Sequence, residues 1–223
     1  MAERIPRDAA VLIIGLGRFG EAVAGELSDL DRDVLVIDEN ARLVQKWSER
    51  VTHAVQADAR DLEALRQIGA QEFPIAVVAV GSSVEASVLI TANLVDLGIT
   101  QIWAKAVSKS HGTILARIGA HHVIYPEAEA GERVAHLVSG SMIDFIEFDD
   151  DFAIVKMHPP AAVVGKALGD TGIRRKHGIT VIGVKANGQA FAYATNSTVV
   201  NADDIVIVSG SSADIERFAG LYA

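Results

Sequence analysis

Cysteine is absent from the 223 residues, which excludes disulfides, thiolate metal sites and cysteine nucleophiles. Aromatic residues make up only 5% of the chain although hydrophobic residues make up 50%, so the core is aliphatic, as in a parallel sheet rich in Val, Ile and Leu. No apolar run approaches the ~18 residues that a membrane span needs. The opening stretch, Met1-Ala2-Glu3-Arg4-Ile5-Pro6-Arg7-Asp8, is too polar for a signal peptide. Positive charge is also scarce. Twenty Lys and Arg face 29 Asp and Glu, a formal net charge of −9 without a basic block, which argues against a nucleic-acid or anionic-membrane surface. A location in the cytosol fits these absences, and any action at a membrane must run through a partner.

What is present begins with Val11-Leu12-Ile13-Ile14, an apolar run that breaks at Gly15-Leu16-Gly17-Arg18-Phe19-Gly20 and continues as a helical pattern to Leu30. A second run, Val34-Leu35-Val36-Ile37, ends on Asp38. Strand, glycine turn, helix, strand and acid is the dinucleotide-binding pattern. Gly15 permits the tight turn, Gly17 lets a pyrophosphate approach the backbone, and Gly20 lets the helix lie close to the sheet. The helix N-terminus then offers free N–H groups to phosphate. Asp38 stands at the second strand's tip, where a carboxylate accepts hydrogen bonds from ribose hydroxyls and repels a 2′-phosphate. Arg18 is either a solvated first-turn residue or a bidentate contact to the outer phosphate of a polyphosphate. The bland role runs against the helix dipole, which disfavours a cation there.

Further strands are expected at residues 52–56, 75–80, 102–106 and 123–125, alternating with helices at 41–50, 62–68, 84–97 and 112–118. Six alternating strands predict an α/β fold with a doubly wound parallel (Rossmann) sheet in the order 3-2-1-4-5-6. The switch point then lies between the first and fourth strands, and Gly81 and Ser82 face the ligand. Asp58, on the loop after the third strand, is placed for an adenosine contact by itself or its neighbours. It is alternatively an N-cap, although Asp61 is the better capping residue. Lys105, near the end of the fifth strand, either contacts phosphate or a second subunit or merely reaches to solvent. The seven histidines show no ligand spacing on one helix face.

Residues 127–142 read as a further helix. The acidic run Asp149-Asp150-Asp151 reads as a solvated turn, because three consecutive carboxylates cannot converge on one cation. The boundaries expected are a nucleotide-binding domain over residues 1–140, a linker over 141–151 and an α+β module over 152–223. In that module Asn187-Gly188 signals a hairpin between residues 180–185 and 189–193. A unit this small is helped by burying the surface of a second chain, which predicts dimerisation.

The glycine hexad, residues 34–38, Thr52-His53-Ala54-Val55, Ile102-Trp103-Ala104-Lys105-Ala106, Ile118-Gly119-Ala120 and residues 123–127 resemble the cytosolic regulatory subunits of Ktr and Trk potassium-transport systems. These carry RCK domains, and the later stretches Gly172-Ile173-Arg174-Arg175-Lys176-His177-Gly178 and residues 203–210 resemble the second module of that family. The resemblance implies ATP or ADP in the N-terminal domain, with NAD or NADH as the other occupant. Gly15, Gly17, Arg18, Phe19, Gly20, Asp38, Asp58, Gly81 and Lys105 would bind it. It also implies a homodimer assembling into an octameric ring, a membrane-embedded potassium-translocating partner reached from the inner face of the membrane, and no catalytic turnover. At Glu127 it implies a Mg or Ca site near the outer phosphates, beside the simpler role of complementing a helix dipole. In the second module it implies cyclic di-AMP at Arg174 and Arg175, over an apolar floor of Val163, Val164 and Ile173. The competing reading of those cations is a helix's last turn ended by Gly178. Two other functions use the same fingerprint: an NAD-dependent oxidoreductase, which needs an added acid–base residue, and a Rossmann-type scaffold.

Overall fold

In the computed structural model, which describes residues 8–138, 142–148 and 151–220, the chain divides into two units, Met1–Glu127 and Ala128–Ala223. Residues 139–141, where the expected domain boundary falls, lie outside the described residues, as do Asp149 and Asp150 of the acidic run, and Met142, the expected helix end, is not helical.

The first unit alternates β1 (Val11–Ile14), α1 (Arg18–Asp29), β2 (Val34–Asp38), α2 (Ala41–Trp47), β3 (His53–Gln56), α3 (Leu62–Ile68), β4 (Ile75–Val78), α4 (Val84–Asp96), β5 (Gln101–Lys105), α5 (Lys109–Ile118) and β6 (His122–Ile124). The strands pair in parallel in the order β3-β2-β1-β4-β5-β6, as the sequence predicts. Side chains alternate faces along a strand. Leu12 and Ile14 therefore pack with Leu65, Ile90, Leu94 and Leu115 under α3, α4 and α5, while Val11 and Ile13 pack with Ala24 of α1 and Trp47 of α2. Burial on both faces is what makes β1 read as an unbroken apolar run. Each large aliphatic side chain so buried contributes roughly 1.5–3 kcal/mol.

Local signals start the helices. Asn40, Asp61, Ser83 and Ser108 each accept a first-turn backbone N–H through their side chains, each cap being worth about 1 kcal/mol. Cover thins towards the β6 edge of the sheet. There Trp103 of β5 is 37% exposed and stacks on His122 of β6, ring centroids 3.8 Å apart and planes 17° from parallel.

The helix α6 (Pro126–Val138) begins at the boundary between the units. The second unit then carries β7 (Asp144–Phe148), β8 (Phe152–Met157), α7 (Leu168–Thr171), α8 (Ile173–His177), β9 (Thr180–Lys185), β10 (Ala192–Tyr193), β11 (Ile205–Ser211) and α9 (Ser212–Ala219). Its antiparallel sheet runs β10-β9-β11-β8-β7. Ala153, Val155 and Met157 of β8 and Val206 and Val208 of β11 meet Ile215 and Phe218 of α9 in one core.

Two expectations need correction here. Residues 144–148, given to a linker, form the edge strand β7 and pair with β8 from Asp144↔Lys156 to Phe148↔Phe152. The hairpin at Asn187-Gly188 is looser than a two-residue turn. Gly188 has φ +75° but Asn187 is not among the described residues with positive φ, so the mirror-image turn that Asn-Gly favours does not form. Only Ala192 and Tyr193 pair with β9.

Candidate functional site

The glycine loop builds its site from backbone. Gly15 has φ +97°, a conformation that glycine adopts without steric cost. A Cβ on Gly20 would stand 1.9 Å from the Gly15 carbonyl oxygen, so no side chain fits where α1 closes on the loop. A Cβ on Gly17 would meet nothing within 4 Å. Gly17 also lines the larger cavity described below, and open space beside a backbone of this kind suits a phosphate. The helix's first backbone bond runs from Glu21 N to Gly17 O, 2.8 Å, which leaves the amides before Glu21 at the N-terminal end of α1 to face that space.

Asp38 does more than the sequence assigns to it. One carboxylate oxygen accepts from Leu16 N at 2.6 Å, inside the glycine loop, and the other accepts from Asn40 N at 2.8 Å. Both bonds fix the carboxylate, and the first ties the loop to the end of β2. A charged acceptor makes these bonds stronger than neutral ones.

A cavity of about 410 Å³ is lined by Gly15, Gly17, Arg18, Phe19, Asp38, Gly81, Ser82, Val107, Lys105 and Glu127, among others. It brings together the predicted residues of the glycine loop, the switch point, the end of β5 and the start of α6. Gly20 sits behind it as the close-contact residue. A second cavity of about 230 Å³ shares Gly15, Asp38, Val80 and Ser82 with the first and continues over Ile37, Glu39, Ala57, Ala59, Arg60 and Ile90. One is polar and faces the helix N-terminus; the other has an apolar floor. That is the division a nucleotide's phosphates and base require.

Two charges in the polar cavity hold one another. Lys105, only 12% exposed at its side chain, donates to Glu127 Oε1 at 2.6 Å. That bond holds the Glu127 carboxyl below the usual carboxylate range, helped by the charges of Lys105 and Arg18. Lys105 Nζ also lies 5.9 Å from the centre of the Phe19 ring. Among the described residues, no cluster of three or more His, Asp or Glu side chains is placed to hold a metal. Within one chain Glu127 has an ammonium partner instead.

Asp58 does not line either cavity. Arg60 folds back on it, donating from Nε at 2.8 Å and from Nη2 at 2.8 Å, and pairs with Glu39 at 2.9 Å. The side chain of Asp58 is thereby spent inside its own loop, with its pKa lowered chiefly by the Arg60 bond. Its neighbours Ala57, Ala59 and Arg60 take the lining positions. Arg60 and Glu39 line the cavity without being expected there; the signal in the sequence is a cation two residues past the acid that follows the third strand.

The second unit has a cavity of about 350 Å³ lined by Leu168, Gly172, Ile173, Arg174, Arg175, Ile179, Thr180, Val181, Thr195 and Asn196, among others. Arg174 Nε donates to Thr180 Oγ1 at 3.2 Å. The other cations of the run are used locally: Lys176 Nζ donates to Thr171 O at 2.9 Å, and the ring of His177 lies against Phe218. All four residues sit in the last turn of α8 before Gly178, which is left-handed at φ +71°. The capping role therefore holds for the run, and two of its arginines also line a cavity. Of the floor expected from Val163, Val164 and Ile173, Ile173 lines this cavity, beside Ile179 and Val181, and the two valines do not.

A parallel sheet in this order, with a braced acid and an open helix N-terminus at its switch point, defines a Rossmann-type nucleotide-binding unit, here followed by a small antiparallel module. Residues 11–126 match the TrkA-N domain family and residues 152–222 the TrkA-C domain family. The chain is 33% identical over 207 residues to the Ktr system potassium uptake protein C of Bacillus subtilis, covering 92% of this chain and 94% of that one. It is 30% identical to the Ktr system potassium uptake protein A of Vibrio alginolyticus, covering 91% and 93%. The chain belongs to the family of RCK-domain regulatory subunits of Ktr potassium uptake systems. Its fold is also that of the GsuK RCK domain, with a TM-score of 0.65 at 19% identity over 98% of this chain and 49% of that one. The chain thus spans about half of the GsuK RCK domain's length. GsuK is known bound to NAD, with a TM-score of 0.66 at 19% identity over 98% of this chain and 40% of that one.

Proposed function

We propose that this chain is a nucleotide-sensing subunit that gates a membrane-embedded potassium-translocating partner, and that its ligand is ADP or ATP rather than a reacting cofactor. The observation that carries this reading is the cavity pair at the switch point, with Gly17 open, Asp38 pre-positioned and Arg18 and Lys105 at the phosphate end. Arg18 and Lys105 supply charge for outer phosphates. Asp38 binds ribose, and Ile37, Ala57 and Ile90 receive the base. No helix among the described residues is long and apolar enough to cross a membrane. In this reading the chain is cytoplasmic and works on its partner by binding ligand more tightly in one of two shapes.

Assembly into a dimer and then an octameric ring belongs to the same reading. Leu89 of α4 and Ile114 of α5, 43% and 44% exposed, suit self-association. Two Glu127 carboxylates brought together at a subunit contact, with phosphate oxygens, would suit Mg or Ca. The particular observation favouring a second ligand is that Arg174 and Arg175 line a cavity with Thr180 and Asn196; a two-fold symmetric cyclic di-AMP between paired modules would fit such a surface.

Calorimetric titration of the full chain with ATP, ADP and NADH is the test. Saturable binding with ADP or ATP preferred is expected. A preference for NADH reopens the oxidoreductase, and no binding leaves the scaffold. Titration with cyclic di-AMP, beside an Arg174→Ala/Arg175→Ala variant, tests the second module. Equal binding by the variant removes the arginines from the site.

A further inference from the structure

One wall of the polar cavity is the loop between β5 and α5, and its conformation hangs on a buried histidine. Val107, whose side chain stands 3.3 Å from where a Gly81 Cβ would be, lines the cavity and donates its backbone N–H to His111 Nδ1 at 3.3 Å. The backbone N of His111 in turn donates to the Ser108 side chain at 3.1 Å. The two ends of the loop are thus tied reciprocally, in the manner of a capping box whose returning acceptor is an imidazole. His111 is 2% exposed. Accepting at Nδ1 requires the neutral ring with its proton on Nε2, and Nε2 finds no protein partner among the described residues. The same is true of Ser87 Oγ on the first turn of α4, the helix packed against α5.

We infer that His111 is a positioning residue for the nucleotide cavity, holding Val107 and the β5–α5 wall in place while neutral and releasing them when protonated. This rests on the nucleotide reading above. A proton on Nδ1 would turn the acceptor into a donor facing the Val107 N–H, and the bond must open.

Among the described residues of the first unit, no carboxylate is buried. The elements packed most extensively against α5 are α4 and β6. Their ionisable side chains are Glu85 and Asp96 on α4 and His122 on β6, all exposed, as are Lys109 and Arg117 on α5 itself. The hydroxyl of Tyr125, just past β6, lies against Gly112, within 1.9 Å of where its Cβ would be. Lys105, at the end of β5, is paired with Glu127. Burial, acting alone, holds the His111 imidazole below its ordinary pKa. A histidine with a depressed folded pKa contributes its full stabilisation above the ordinary value of ~6.5 and loses it as pH falls below that. The loop should therefore loosen on mild acidification.

The experiment compares wild type with His111→Asn, whose side-chain oxygen keeps an acceptor near Nδ1 but does not titrate, and with His111→Leu, which removes the acceptor. ADP affinity is measured by calorimetry at pH 7.5 and pH 5.5 on the full chain. Wild type should lose roughly tenfold in affinity over that range. His111→Asn should lose distinctly less, and His111→Leu should bind weakly at both values. In parallel, selective 15N-valine labelling follows the Val107 amide without nucleotide, and its shift should titrate with the His111 ring. A Val107 amide that ignores pH, or identical pH dependence of affinity in wild type and His111→Asn, overturns the inference. If Val107 titrates but ADP binds at neither pH, the His111–Val107 coupling is upheld and the nucleotide reading is what fails.

Discussion

The two units present cavities made from different materials. In the first, backbone does the shaping: a left-handed Gly15, a Gly20 that admits no Cβ, a helix N-terminus, and a carboxylate tied down by two amides. In the second, side chains do it: two arginines on a five-residue helix, Thr180, Thr195 and Asn196, over an aliphatic floor. Backbone-built sites tolerate almost no substitution at their glycines and are rigid before ligand arrives. Side-chain-built sites tolerate more and lose binding without losing their fold.

The sharpest way to break this contrast is a methyl group. Gly20→Ala should destabilise the first unit by about 3 kcal/mol or more, the upper end for overpacking, because the obstructing atom is a backbone oxygen. Gly172→Ala, in the second cavity, should cost only about 1 kcal/mol for a left-handed residue, since the nearest atoms are the flexible ends of Lys176 and Arg175. Gly17→Ala should leave folding within ~0.5 kcal/mol but weaken nucleotide binding at least about tenfold, ~1.4 kcal/mol. Thermal denaturation and calorimetry on the three variants read these out, and equal destabilisation by Gly20→Ala and Gly172→Ala would remove the distinction.

Next in size is Asp38→Ala. It should lower affinity for adenosine ligands by about 1.5–3 kcal/mol, the worth of hydrogen bonds to a charged group. Because Asp38 also holds Leu16 N, unfolding should become easier even without ligand. A variant that binds normally would show that the brace and the ribose contact were both misassigned.

The smallest effect is expected at Glu127. Its carboxyl is held down by Lys105, so the pair is complete above the ordinary Glu value of ~4.3 and is lost as pH falls through the lower folded value. Glu127 is 61% exposed at its side chain, and exposed pairs contribute at most about 1 kcal/mol. Glu127→Gln should shift stability by less than that and flatten the acid limb. If ATP affinity also fails to respond to Mg or Ca in the wild type, Glu127 has no metal role.

The same contrast explains what could be read from sequence. The inner strands β1, β2 and β4, covered on both faces, write themselves as apolar runs, and the alternation of strand and helix patterns marks the other three, so all six strands, their order and the Asp38 position are legible. So was Asp61 as a cap. The edge strand β7 was not, because its Asp144 and Glu147 interrupt the pattern and an acidic run follows it. That the neighbours of Asp58 line the cavity and its own side chain does not could not be read, because a loop cation two residues on, Arg60, captures its carboxylate, and a pairing that local cannot be told from spacing. Which of the cations 174–177 face the second cavity depends on the rotation of a short helix, which spacing alone could not fix.

The two tryptophans give the first unit its own optical gauge. Trp47 is 2% exposed and donates its indole N–H to Glu21 at 2.9 Å, whereas Trp103 lies half open on the face of His122. One indole emits from a dry, fixed site, while the other emits beside water against an imidazole. A neighbouring surface settling over Trp103 would shift only its emission to the blue, while Trp47 served as the internal standard, so association could be followed in dilute solution with no label attached.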